Sequence, residues 1–139
     1  MAKLVLVRHG ESIWNALGRW QGWTDIDLTE KGLKQAGEVG RALTDIKFDY
    51  AFSSPLIRAS KTLDEILKVL KQSDLSIIKD DALTEKHYGI HTGKNKWQVK
   101  EEIGEAEFQK LRRAWDYHTL EGESMKQVYE RLIPYYEQE

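Results

Sequence analysis

Apolar positions along the chain fall into short unbroken runs and into stripes of helical period. Leu4–Val7 is an apolar run that ends abruptly at Arg8-His9-Gly10, and Lys3–Val7 reads as a first strand. A polar, tryptophan-rich connection follows from Ile13 to Leu28. Thr29–Asp45 reads as a helix with Thr29 as N-cap and a face of small residues, Leu33, Ala36, Gly37, Gly40 and Leu43. Glycine costs about 1 kcal/mol of helix propensity against alanine, so its use on that face predicts close packing on a sheet. Phe48, Tyr50 and Phe52 alternate in a second strand that stops at Ser53-Ser54-Pro55. That ending predicts Ser54 as the next N-cap and Pro55 at the first helical position. Leu63, Ile66, Leu67 and Leu70 mark the buried stripe of this second helix. Leu75–Asp80 is a third strand, and residues 81–97, with Gly89 and Gly93, read as loop. Two helical stretches follow, Glu105–Tyr117 and one opened by a Ser124–Gln127 capping box.

Strand, helix, strand, helix, strand is the order of a parallel α/β sheet, organised as one domain over residues 1–139. Three strands fall short of the usual five or six, and the last helix has no strand to return to, so the domain reads as incomplete. An uncovered apolar sheet edge then predicts lowered stability or self-association, which leaves a homo-oligomer open.

Composition narrows the chemistry. Charged residues make up 32% of the chain, yet 21 basic against 23 acidic residues leave a net charge of −2. No basic excess suggests a nucleic-acid or membrane-surface partner. There is no cysteine, hence no disulfide framework and no thiolate nucleophile or metal ligand. Leu4–Val7 is too short for a signal peptide or a membrane span, and a cytoplasmic protein is the default. His87 and His91 stand four apart, but Gly89 between them argues against a helical metal pair, and no zinc, calcium or Walker motif is present. Trp14, Trp20 and Trp23 read as packing residues.

In open α/β sheets, ligands bind outside the carboxyl ends of the strands. Arg8-His9-Gly10 ends strand one, and Ser53–Arg58 ends strand two and opens a helix, so both segments should meet at one crevice. A cation in a first helical turn, such as Arg58, opposes the helix dipole unless an anion binds there. Two arginines around one histidine describe a phosphate pocket in which neutral His9 attacks phosphorus, with Gly10 leaving room for the ligand.

Six segments together, LVLVRHGESIWN, GWTDIDLTEKG, SSPLIRASKTL, LTEKHYG, GKNK and LRRAW, occur in the order and approximate spacing of one family. The chain resembles cofactor-dependent phosphoglycerate mutase of the histidine phosphatase superfamily, from residue 3 to the last helix. The resemblance implies a three-layer α/β/α fold with a mostly parallel sheet, lacking its C-terminal strands. It implies His9 as the nucleophile that becomes phosphohistidine, Arg8 and Arg58 as the phosphate clamp, and Glu85 as proton donor and acceptor. It further implies Gly10, Ser12, Asn15, Gln21 and Gly22 around the phosphate, and His87, Tyr88, Lys96, Arg112 and Arg113 around the carboxylate and second phosphate. The implied reaction interconverts 3-phosphoglycerate and 2-phosphoglycerate, with 2,3-bisphosphoglycerate as primer and no metal. A phosphatase of the same superfamily, or a non-catalytic phosphate-binding remnant, is the alternative.

Three positions depart from the family pattern. Gln21 stands where a hydroxyl residue is usual, and Lys86 where arginine is usual, which would lose a bidentate contact. The family also carries a second histidine on a strand after the last helix, in an Ala-His-Gly-Asn type motif. This chain reads through Glu139 without it, so the sequence predicts truncation and greatly weakened turnover.

Overall fold

A computed structural model describes residues 2–138. The elements are α1 (Ile13–Ala16), α2 (Glu30–Ala42), β1 (Ala51–Ser53), α3 (Ile57–Val69), β2 (Ile77–Lys79), α4 (Lys96–Arg113) and α5 (Met125–Gln138). Short 3₁₀ turns at Asp81–Leu83 and Gly89–His91 interrupt the connection between β2 and α4. β1 and β2 pair in parallel, Phe52 opposite Ile78, with α3 as the crossover between them.

The expected first strand is not formed. Residues 3–7 have no regular structure and no ladder partners, and Leu4, Leu6 and Val7 are exposed, Leu6 by 85%. A strand exists only by pairing, and among the described residues no neighbour offers its main chain to this run. Among the described residues the sheet therefore has two strands, where the sequence suggested three.

Helix boundaries follow local chemistry. Thr29 caps α2 by accepting from the Gly32 N–H, and the Ser124–Gln127 capping box opens α5 with both reciprocal bonds. The start of α3 is a correction: Leu56, not Ser54, is its N-cap, and Leu56 has no capping side chain. The cap comes from a distant residue instead, because the Ile57 N–H donates to Asp25 Oδ1 at 2.7 Å. α4 also begins earlier than expected: Asn95 caps it, so Lys96 and Trp97 of the expected loop are helical and the helix runs on before Glu105. Gly104, at φ +82°, breaks α4 one residue before the helix expected from Glu105.

The α2 glycines serve close packing as expected, but on a helix and a loop rather than on the sheet. A Cβ on Gly40 would stand 2.9 Å from Val69 Cβ of α3, and one on Gly32 would overlap the Glu11 carbonyl oxygen. The main apolar core lies elsewhere again: Trp20 packs with Val99, Phe108 and Leu111 of α4, joined by Tyr88, Ile103 and Tyr117. These two centres of packing hold the segment after His9 and the segment around Glu85 respectively.

Candidate active site

The segment behind His9 is held by both neighbouring helices. The Gly10 N–H donates to Thr62 Oγ1 of α3 at 3.0 Å, and the Glu11 N–H to Gln35 Oε1 of α2 at 2.8 Å. Gly10 and Gly32 are in mutual contact, and a side chain on either would collide with the other's backbone or its neighbour's. His9 is half-buried, and its Nδ1 lies 2.6 Å from the Gly10 carbonyl oxygen. A carbonyl only accepts, so Nδ1 carries the proton and the neutral ring keeps its lone pair on Nε2. Burial, then Arg58 and Arg8, push the His9 imidazolium below the usual histidine range, against the Gly10 bond and Glu85. That balance favours the neutral, nucleophilic ring.

Arg58 does more inside the protein than the sequence suggested. Its side chain is 1% exposed, and its guanidinium donates to the carbonyls of Thr24 (2.8 Å) and Gly22 (2.7 Å) and to Glu85 Oε2 (3.0 Å). It joins the connection after α1 to the Glu85 segment across the front of α3. Arg8, by contrast, is exposed.

Glu85 also acts on Tyr88 and Lys96. Burial pushes the Tyr88 phenol up to about 12, with Glu85 acting in the same direction and Arg112 and Arg8 against it. Burial lowers Lys96, where Glu85 opposes the shift and Arg112 and Arg8 add to it. Arg8 and Glu85 are thus felt by His9, Tyr88 and Lys96 alike, which brings Arg8, His9, Arg58, Glu85, Tyr88, Lys96 and Arg112 into one electrostatic neighbourhood. Tyr88 is steadied by stacking on Trp20, with ring centroids 5.3 Å apart. Arg112 lies over the Phe108 ring, 5.5 Å from its centroid, and Arg113 is exposed at the end of α4.

The residues around His9 are committed to one another. Ser12, which is buried, and half-buried Asn15 form the capping box of α1, Ser12 N–H to Asn15 Oδ1 and Asn15 N–H to Ser12 Oγ, both at 3.0 Å. The Ser12 hydroxyl donates to Gln21 Oε1, so Gln21 is a buried acceptor for Ser12. Gly22 adopts φ +52° beside the main chain of 86–88. His87 packs on Trp23 with centroids 4.5 Å apart, and its ring Nδ1 meets the Glu121 carbonyl. Lys86 is buried. Its ammonium donates to the Leu111 carbonyl at 2.7 Å, in the last turn of α4, where a cation complements the helix dipole.

No sequence signal marks Thr62, Gln35, Asp25, Glu123 or Arg131, and Trp23 reads there only as packing, yet all of them position the segments that carry His9, Arg58 or Glu85. Their side chains hydrogen-bond to main chain far away in sequence, and no local period announces that. Two surface clefts lie elsewhere, one of about 240 Å³ lined by Arg19, Lys94, Gln98 and Glu102 among others, and neither is lined by His9 or Glu85. Among the described residues no three His, Asp or Glu side chains gather as a metal site, and no helix is long and apolar enough to cross a membrane.

The family described as histidine phosphatase superfamily (branch 1) matches residues 4–138. A 2,3-bisphosphoglycerate-dependent phosphoglycerate mutase from Bartonella tribocorum is 44% identical over 135 residues, which are 96% of this chain and 66% of that protein. Among solved structures, phosphoglycerate mutase from Bacillus anthracis superposes with TM-score 0.77 and 31% identity over 94% of this chain and 64% of that one. A mycobacterial glucosyl-3-phosphoglycerate phosphatase superposes with TM-score 0.82 and 27% identity over 94% and 60%. The chain thus shares their α/β fold and spans about two thirds of the length of the curated relatives it matches.

Proposed function

Since this chain belongs to the histidine phosphatase superfamily, we propose that it carries the phosphoryl-transfer site of a 2,3-bisphosphoglycerate-dependent phosphoglycerate mutase. The reaction is the interconversion of 3-phosphoglycerate and 2-phosphoglycerate, a step of glycolysis and gluconeogenesis, through a phosphohistidine at His9. The observation that supports this best is Glu85 held by Arg58 at 3.0 Å, with Glu85 and Arg8 acting together on His9, Tyr88 and Lys96. A substrate with both a phosphate and a carboxylate needs several cations and one carboxylic acid, and a mutase needs the same set twice.

Each group has a definite task in this reading. The His9 Nε2 lone pair forms the N–P bond while the P–O bond to the substrate breaks, leaving its electron pair on oxygen. Glu85 as the acid delivers its proton to that oxygen, and as the carboxylate takes it back from the hydroxyl that accepts the phosphoryl group in the return step. Exposed Arg8 meets the charge that grows on the phosphoryl oxygens, while buried Arg58 grips Glu85 and adds its positive charge to the surroundings of His9. Lys96, Arg112 and Arg113 hold the second phosphate or the carboxylate, and Tyr88 remains a neutral donor at working pH. The same cations suit 2,3-bisphosphoglycerate, which supplies the phosphoryl group that charges His9. The substrates are thus small phosphorylated sugar acids, and with them comes a cytoplasmic working place.

A second reading is a phosphatase, favoured by the superposition on a phosphatase of known structure, in which water takes the phosphoryl group from His9. ³¹P NMR of purified protein with 3-phosphoglycerate and a trace of 2,3-bisphosphoglycerate separates the two. The mutase reading expects isomer to form without net phosphate release, and His9→Ala to abolish it. Stoichiometric release of phosphate overturns the mutase reading, and absence of any phosphohistidine signal overturns both.

A further inference from the structure

Glu85 stands in a stretch without regular secondary structure, between the 3₁₀ turns Asp81–Leu83 and Gly89–His91. A proton donor must nevertheless be held to a fraction of an ångström. One side chain on α5 supplies much of that order. Arg131 Nη1 donates to the carbonyls of Ala82 (2.7 Å) and Asp81 (3.4 Å), and Nη2 to those of Thr84 (2.8 Å) and Glu85 (3.2 Å). The same guanidinium pairs with Glu123, Nε to Oε1 at 3.0 Å and Nη2 to Oε2 at 3.2 Å. Glu123 Oε2 in turn accepts the His87 N–H at 2.9 Å, on the other side of Glu85. Both side chains are mostly buried, 22% and 13% exposed.

We propose that Arg131, oriented by Glu123, is the positioning residue for the Glu85 carboxyl. The assignment rests on the reading of Glu85 as proton donor and acceptor. Arg131 touches no reacting group; it sets the main chain from which Glu85 projects. Trp23 Nε1 meets the Glu85 carbonyl as well, at 2.9 Å, and Arg58 grips the carboxylate, so the residue is tethered at both ends. A planar guanidinium can serve several carbonyls and a carboxylate together, and an ammonium cannot reproduce that geometry. Glu123 is equally specific, because it fixes the plane of the fork and closes the loop at His87.

The leaving group tests this. With a sugar-acid phosphate, the departing oxygen needs the Glu85 proton as the N–P bond forms. With p-nitrophenyl phosphate the departing phenolate is stable without it. Labelling of His9 is compared for both donors in wild type, Arg131→Met, Arg131→Lys and Glu123→Gln. Arg131→Met should slow labelling from 2,3-bisphosphoglycerate by about 10²–10³, as expected for general acid–base catalysis, with little change in half-saturating concentration. Labelling from p-nitrophenyl phosphate should fall less than about threefold, because its leaving group draws on no general acid. Arg131→Lys should recover part of the loss, and Glu123→Gln should show a smaller loss with the same selectivity. Equal losses with both donors, or none with the bisphosphate, overturn the proposal.

Amide hydrogen exchange gives a readout free of turnover. Exchange across 82–88 should quicken about tenfold or more in Arg131→Met, as local opening becomes easier, while α2 and α3 keep their protection. Unchanged exchange over 82–88 also overturns the proposal. Where wild type accepts phosphate from neither donor, the reading of Glu85 fails, and the exchange result alone decides whether Arg131 sets its position.

Discussion

The segment that carries His9 and the segment that carries Glu85 are organised in opposite ways. Residues 3–9 hold the most legible motif in the chain, yet Leu4, Leu6, Val7 and Arg8 are exposed and no ladder pairs them; order begins at Gly10, where Thr62 and Gln35 take over. Residues 81–88 have almost no regular structure, yet their carbonyls and amides are claimed by Arg131, Glu123 and Trp23, and Glu85 itself by Arg58. Regular secondary structure and positional order are therefore separate properties. A ladder satisfies main-chain groups by repetition, whereas long side chains satisfy them singly, and either keeps buried polar groups from going unpaired.

Perturbations should separate the two modes of anchoring. The largest effect is expected from Arg58→Met, which strips the Gly22 and Thr24 carbonyls and Glu85 of a shared buried donor. We expect a loss of about 3 kcal/mol in urea denaturation, moderated because the Glu85 side chain is partly exposed. It also removes a cation that opposes His9 protonation. The acid limb of His9 labelling reflects loss of the Nε2 lone pair, so this limb should move to higher pH, toward the ordinary histidine value. An acid limb that stays in place would mean that Arg58 acts only through packing.

Gly32→Ala attacks the anchoring behind His9, since its new Cβ would overlap the Glu11 carbonyl oxygen. About 1–3 kcal/mol of destabilisation is expected from such overpacking, with slower labelling of His9 and unaltered exchange at 82–88. Trp23→Phe removes one donor from the Glu85 carbonyl at constant ring character. It should cost about 1 kcal/mol and loosen 82–88 less than Arg131→Met does, readable by hydrogen exchange. The smallest effect belongs to Leu6→Thr, within about 0.5 kcal/mol, as for any exposed position. A loss above about 1.5 kcal/mol would show that residues 3–7 are packed in solution, contrary to the contrast drawn between the segments.

Much of the fold was legible because its cues are local. Thr29 and the Ser124–Gln127 pair act within one helical turn, and the apolar stripe of α3 follows from its period. The failures share a cause. Lys3–Val7 has strand character, but pairing depends on a neighbour that no local pattern supplies. Ser54-Pro55 resembles a helix start, but the structure caps α3 through Asp25, thirty-two residues earlier. At Lys86 the family pattern speaks only of a bidentate contact that lysine lacks, whereas its ammonium serves the Leu111 carbonyl at the far end of α4.

The candidate site divides along the same line. The types of group that the proposed phosphoryl transfer calls for, and their order from His9 through Arg58, Glu85 and Lys96 to Arg112, can be read from the sequence, because motif chemistry is a matter of residue identity. Which carbonyls each cation would serve was decided only in three dimensions. Arginine and lysine reach several ångströms from their own backbone, and burial makes them spend every donor on whatever acceptors the fold brings within that reach. Arg58 turning inward to Glu85, and Arg131 holding the segment from Asp81 to Glu85, follow from that rule and from the packing of α3 and α5.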